Sequence, residues 1–211
     1  MFVDIYNTNK KYNVIYADPP WSYKDKRTGS KLSGGAINHY STMSIKDIAD
    51  MGDVIKKISA DDCLLFMWVT FPTLPDALKV IEDWGFQYKT LGFSWIKTNR
   101  NNGKPFFGIG FYTKSNCEVC LLAIKGKPSN LIISNAVSSC IISERREHSR
   151  KPDETRRRIT QLVGSVPKIE LFARQCADGW DCWGNEVTET DPEEQYMSGL
   201  INLWEEFDRN V

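Results

Sequence analysis

Apolar residues arrive in short dense runs separated by polar stretches, the pattern of strands buried on both faces alternating with amphipathic helices. Val14-Ile15-Tyr16-Ala17 predicts a first strand and Cys63 to Val69 a second. Between them Ser44 can cap a helix that turns Ile45, Ile48, Ala49 and Ile55 inward. Thr70 to Trp84 places Leu74, Ala77, Leu78, Ile81 and Trp84 on one helical face, with Pro75 early and Gly85 just past the end. Phe86 to Lys97 and Glu118 to Lys125 read as further strands. A helix opening at Ser149-Arg150-Lys151-Pro152-Asp153-Glu154 and closing at Gly164 then leads into a short buried strand, Lys168 to Ala173. This alternation defines the α/β class: a mostly parallel sheet with helices on both faces.

The polar stretches carry their own expectations. Residues 22–38 are rich in Lys, Gly and Ser, and residues 98–115 in Gly and Asn; both read as loops beside a site, placed to cover substrate. Beyond Glu186 the chain turns acidic, and a last helix is expected at about 192–209, where Tyr196, Leu200, Leu203, Trp204 and Phe207 share a face that packs on its own domain or on a partner subunit.

The chain has 211 residues, 41% of them hydrophobic, enough for one substantial core, so residues 1–211 are expected to form a single domain. Lys plus Arg and Asp plus Glu both number 27, so no global field draws the protein to a polyanion and any nucleic-acid contact must be local. Six cysteines without a secretory signal predict reduced thiols and a cytoplasmic location. The longest apolar run, Leu64 to Val69, is far too short to span a bilayer, and no membrane partner is expected. Cys117-Glu118-Val119-Cys120 has half the spacing of a zinc site, but with no second close pair and only His39 and His148 as histidines, no metal is expected.

The chemistry concentrates where the first strand ends, in Asp18-Pro19-Pro20-Trp21. Two prolines fix φ and supply no N–H, so Asp18 and the Pro19 and Pro20 carbonyls form a stiff frame of acceptors beside a large ring. A flat ligand bearing an amino group, sandwiched against Trp21, matches such a corner, and adenine matches best. The same residues also suit a plainer role: Pro-Pro ending a strand, Trp21 covering the core and Asp18 capping a loop. The position at the carboxyl end of a strand favours function, because open α/β sheets bind ligands there.

Beyond that corner, His39-Tyr40-Ser41-Thr42-Met43, Leu65-Phe66-Met67-Trp68-Val69-Thr70, Trp95-Ile96-Lys97-Thr98-Asn99, Ser149 to Glu154 and Lys168-Ile169-Glu170-Leu171-Phe172-Ala173-Arg174 follow in an order and spacing that resembles the MT-A70-like adenine methyltransferases. That family contains the catalytic subunit of the mRNA adenosine methyltransferase and shorter bacterial and bacteriophage DNA adenine methyltransferases. The resemblance runs almost end to end. It implies a Rossmann-like methyltransferase fold, S-adenosylmethionine as methyl donor, no metal, and the exocyclic 6-amino group of adenine as acceptor. DNA is the expected substrate, with RNA chemistry of the same kind, or a catalytically silent binding subunit, as alternatives; a monomer or homodimer is expected.

The resemblance also assigns roles. Asp18, Pro19, Pro20 and Trp21 become catalytic. Asp4, Ile5, Asp18, Lys151, Arg174, Asn185 and Glu186 fall at donor-binding positions, and Tyr40, Glu118, Ser149 and Lys151 at positions that contact the target adenosine. From composition alone Lys151 reads as a solvated lysine, Glu118 as the counter-charge of a neighbouring base, and Arg174, Asn185 and Glu186 as loop hydrogen-bonding residues. The family pattern is departed from at Cys176, near a family histidine, and at Glu186, at a family glutamine. The basic residues Arg145, Arg146, Arg150, Lys151, Arg156, Arg157 and Arg158 form either a solvated helix face or a phosphate-holding patch.

Overall fold

The computed structural model describes residues 1–22, 42–108, 110, 112–145 and 150–187. Seven strands form one sheet there: β1 (Tyr12–Ala17), β2 (Ser59–Val69), β3 (Gln87–Thr98), β4 (Cys117–Lys125), β5 (Cys140–Glu144), β6 (Lys168–Leu171) and β7 (Asp181–Trp183). Their spatial order is β5-β3-β4-β2-β1-β6-β7. Every pairing is parallel except those of β4 with β2 and with β3, so β4 alone runs against the rest. The helices are α1 (Ile45–Asp50), α2 (Gly52–Ile58), α3 (Leu74–Asp83) and α4 (Glu154–Val163). The expected Rossmann-like methyltransferase architecture is present.

Alternation along the central strands assigns each side chain to one of two cores. Ile15 and Ala17 of β1 with Leu65, Met67 and Val69 of β2 face the layer that holds Ile48, Ile55, Val80, Ile81 and Trp84 of α1, α2 and α3 and of the turn after α3. Val14 and Tyr16 with Leu64, Phe66 and Trp68 point the other way, onto Ile159 and Val163 of α4. Helices therefore cover both faces, which is why β1 and β2 read as unbroken apolar runs. Trp84 is fully buried and donates its indole N–H to the Ile48 carbonyl at 2.8 Å, locking the end of α3 onto α1.

Several elements differ from expectation. The helix predicted from Ser44 is two, because Met51 caps α1 with its N–H on Ile48 and Ala49 carbonyls and α2 restarts at Gly52. The Ser44 cap itself is present, with Asp47 closing a capping box. The helix expected from Ser149 begins only at Glu154, leaving Arg150, Lys151 and Pro152 outside it. β5 escaped the sequence reading because its single buried side chain is Ile141. The thiols are not all reduced: Cys176 and Cys182 form a disulfide, since the turn from β6 to β7 brings their Cα atoms to 5.4 Å, inside the range a disulfide requires. Cys117 and Cys120 do not converge, because residues three apart on β4 face opposite ways; Cys120 is buried and Cys117 only partly so. Among the described residues no helix is long and apolar enough to cross a membrane. The helix expected at 192–209, the loop from 23 to 38, Tyr40 and Ser149 lie outside the described residues.

Leu65 sits fully buried at the centre of the sheet, so Leu65→Ala should lower unfolding free energy by about 2–5 kcal/mol with an unchanged denaturant slope. Urea titration followed by circular dichroism measures it.

Candidate active site

Because β1, β2, β6 and β7 are parallel, their carboxyl ends lie on one edge of the sheet. β1 is also where the connections part, with β2 on one side and β6 on the other, the switch point at which such sheets open a crevice. Asp18 leaves β1, Thr70 leaves β2, Phe172 to Arg174 leave β6 and Asn185 and Glu186 follow β7, and all line one cleft of about 250 Å³. Glu118 joins them from the opposite polarity, at the start of the reversed strand β4.

The Pro-Pro corner is held at several points. Trp21 N–H donates to the Pro19 carbonyl at 2.8 Å, and the Pro20 carbonyl accepts from Met43 N–H at 2.9 Å. A carbonyl has two lone pairs, so Pro19 retains acceptor capacity toward the cleft. The Trp21 indole donates to the Trp68 carbonyl at 3.0 Å and is only 6% exposed. It is thus a packed wall of the cleft rather than a ring free on both faces.

Lys151, in the segment before α4, donates to both Asp18 oxygens at 2.8 Å and lies 3.3 Å from Glu118. Lys97 of β3 pairs with the same Glu118 from the other side. Burial pulls Lys151 down, but Asp18 and Glu118 outweigh it and hold its ammonium above the ordinary lysine range. Burial pushes Glu118 up, yet Lys151 and Lys97 prevail and its carboxyl titrates below the ordinary value. For Asp18, burial prevails over the pull of Lys151, and the facing Glu118 adds to the rise. The result is a nearly enclosed row of alternating charges, Asp18, Lys151, Glu118, Lys97, whose outer end meets the root of the loop after β3.

On the other side of the cleft Arg174 lies 3.5 Å from Glu186, with Asn185 beside them. Gly184 permits this: a Cβ there would meet the Ala173 carbonyl oxygen at 2.1 Å, so only glycine lets the end of β7 pass so close to the end of β6. Phe172 holds φ at 59° without being glycine, and strained backbone of this kind gathers at functional clefts.

Asp18, Pro19, Pro20, Trp21, Glu118, Lys151, Arg174, Asn185 and Glu186 are therefore gathered in one place. Asp4 and Ile5 are not in the cleft lining. Asp4 accepts from Tyr6 N–H at 3.0 Å and from the Asn7 amide, and Ile5 is fully buried, next to a Tyr6 ring packed edge-on to Trp183. Lys97, Phe172 and Trp183 were missed by sequence reasoning. Lys97 lies within the family-like Trp95 to Asn99 segment and Phe172 within the Lys168 to Arg174 segment, but a left-handed phenylalanine has no sequence signal. The described part of the basic run is largely neutralised within itself: Arg156 pairs with Glu170 and Asp153, while Arg157 and Arg158 share Glu154. No group of three or more His, Cys, Asp or Glu side chains that could hold a metal occurs among the described residues.

A mostly parallel α/β sheet with a cleft at its switch point is the architecture of a Rossmann-like methyltransferase. The MT-A70 family profile matches residues 12–186, and the chain belongs to that family. Over 192 residues it is 36% identical to the type II methyltransferase M.MunI of a Mycoplasma species, covering 84% of this chain and 78% of the relative. It is 31% identical to a putative N(6)-adenosine-methyltransferase MT-A70-like of Medicago truncatula, covering 84% of this chain and 27% of that protein. Against the human N(6)-adenosine-methyltransferase catalytic subunit METTL3 it is 27% identical, covering 91% and 32%. The chain thus spans most of the Mycoplasma relative but about a third or less of the other two.

Glu118 titrates below its ordinary 4.5, so the unfolded chain takes up that proton first. The stability it contributes is fully present above that value and is lost as pH falls through its native pKa. Glu118→Gln should therefore be destabilised relative to the parent at about pH 7, with the gap closing toward about pH 3 in chemical denaturation. A gap independent of pH would overturn this assignment.

Proposed function

We propose that the chain transfers a methyl group from S-adenosylmethionine to the exocyclic 6-amino group of adenine in DNA. The observation that carries the reading is the acceptor corner at the sheet's switch point, with Asp18 and Pro19 lining the cleft and Lys151 placed between two carboxylates. The donor set suits this pair of ligands. Carboxylates favour a sulfonium and an amine, and Lys151 with Arg174 favours a donor's carboxylate and hydroxyls.

The bound donor would supply an electrophilic methyl on positively charged sulfur. Adenine's amino lone pair is delocalised into the ring, so the protein's task is orientation rather than strong base catalysis. Asp18 and the Pro19 carbonyl would each accept one amino hydrogen, turning the nitrogen lone pair toward the methyl. As the N–C bond forms, the C–S bond would break with its electrons left on sulfur, S-adenosylhomocysteine would leave as a neutral thioether, and the surplus amine proton would pass along its hydrogen bond to Asp18 and on to solvent. The packed Trp21 and Trp68 rings fix the plane and depth of the base and keep water out. Such positioning supplies up to roughly 7–11 kcal/mol of barrier reduction. Asn185 and Glu186 offer an amide and a carboxylate to ribose hydroxyls at the end of β7. Ser149 and Tyr40 are assigned to the target adenosine and Asp4 and Ile5 to the donor's adenine on family resemblance alone.

DNA is assigned as acceptor because the more similar relative, and the one matched over most of its length, is a type II methyltransferase. The relatives named adenosine methyltransferases keep RNA as the competing acceptor, so DNA and RNA oligonucleotides of one sequence should be compared side by side.

With tritiated S-adenosylmethionine and adenine-containing DNA, Asp18→Ala should lose transfer by at least about 100-fold, a loss that persists when the donor is saturating. Equal product from the variant would overturn the role of Asp18. No label on DNA with the unaltered protein would overturn the reading itself.

A further inference from the structure

The segment from 99 to 116 joins β3 to the reversed strand β4, and so leaves and re-enters the sheet on the same edge as the cleft. Its composition is lopsided: Arg100, Lys104 and Lys114 with Phe106, Phe107, Phe111 and Tyr112, and no aspartate or glutamate, in a chain whose total charge is zero. The root is ordered by backbone bonding. Phe106 N–H donates to the Lys97 carbonyl at 2.8 Å, Asn99 N–H to the Lys104 carbonyl at 2.8 Å, and Thr98 bridges antiparallel to Pro105. Phe106 is half-buried under the Arg145 guanidinium, 4.4 Å from the ring centroid, and Arg145 N–H donates to the Thr98 carbonyl.

Beyond this root two of the described rings turn outward. Phe107 is 60% exposed and Tyr112 entirely so. Arg100, Lys104 and Lys114 are exposed and make no ion pair among the described residues, in contrast to Arg156, Arg157 and Arg158 on α4. Cations that track phosphates, interleaved with exposed rings on which bases stack, are the two components of a single-strand platform. The platform is also placed in register with the chemistry, because Lys97, the last but one residue of β3, pairs with Glu118 inside the cleft.

We propose that the 99–116 hairpin is the surface that holds the nucleotides flanking the target adenine in a DNA strand, with Arg100, Lys104 and Lys114 on phosphates and Phe107 and Tyr112 against neighbouring bases. This rests on the methyltransferase reading, and supplies what that reading needs: a base must leave its stack to reach Asp18, and its neighbours then need a surface to replace it.

The test uses the full chain and a fluorescein-labelled adenine-containing oligonucleotide, with binding read by fluorescence anisotropy across a salt series. The R100A/K104A/K114A variant should bind more weakly, with a log–log salt slope shallower by about 2. Phe107→Ala and Tyr112→Ala should each weaken binding by roughly 5-fold or more with the slope unchanged. Calorimetric affinity for S-adenosylmethionine should be the same in all. Parental affinity and salt slope in the triple variant, or absence of oligonucleotide binding by the parent at low salt, would overturn the proposal. So would unaltered DNA binding together with a changed oligomeric state in light scattering, which would make the hairpin a contact between copies of the chain. Anisotropy decides the platform whether or not methyl transfer is seen, so its failure is separate from failure of the catalytic reading.

Discussion

Asp18, Lys151 and Glu118 line the cleft with Lys97 behind Glu118, and the neutrality of this row of two carboxylates and two ammonium groups is the condition on which the site depends. Lys151 partly offsets the burial of Asp18, Lys151 and Lys97 together outweigh the burial of Glu118, and the two carboxylates hold the buried Lys151 ammonium charged. The row draws on four separate parts of the chain: the turn after β1, the approach to α4, the start of β4 and the end of β3. Assembling it therefore requires the whole central sheet. The cleft is a product of tertiary structure even though its most conspicuous residues are four consecutive letters.

That division explains what could be read in advance. β1, β2, α3 and the end of α4 announce themselves because each is apolar on a face that packs onto a core, and the Pro-Pro corner announces itself through backbone chemistry that few other sequences have. Glu118 was legible in both of its guises, as a cleft residue and as the counter-charge of a base. The identity of that base was not, because Lys97 and Glu118 are brought together only by the pairing of β3 with β4. Phe172 and Trp183 stayed hidden for a related reason: an aromatic residue at a strand end looks like core until the fold shows which end borders a cavity. The basic run before and within α4 left two readings open in the sequence, and Arg156, Arg157 and Arg158 prove to be paired with Asp153, Glu154 and Glu170, the last of which only the fold brings near.

The far wall depends on backbone rather than charge. With Phe172 left-handed and Gly184 bare of a side chain, the ends of β6 and β7 approach closely enough for Arg174 and Glu186 to meet across the opening. The disulfide between Cys176 and Cys182 ties the connection between those strands to β7 just before that approach. One half of the cleft is thus held by electrostatics and the other by close chain packing.

The lone reversal of β4 has a further implication. In an all-parallel sheet the link between neighbouring strands must travel back beneath the layers, and any lengthening of it would disturb the interior. Here the link turns round at the sheet edge on which the cleft opens, where added or deleted residues need not disturb the core. If that turn holds the strand as proposed, preference for flanking nucleotides could drift by remodelling one overhang on a constant scaffold.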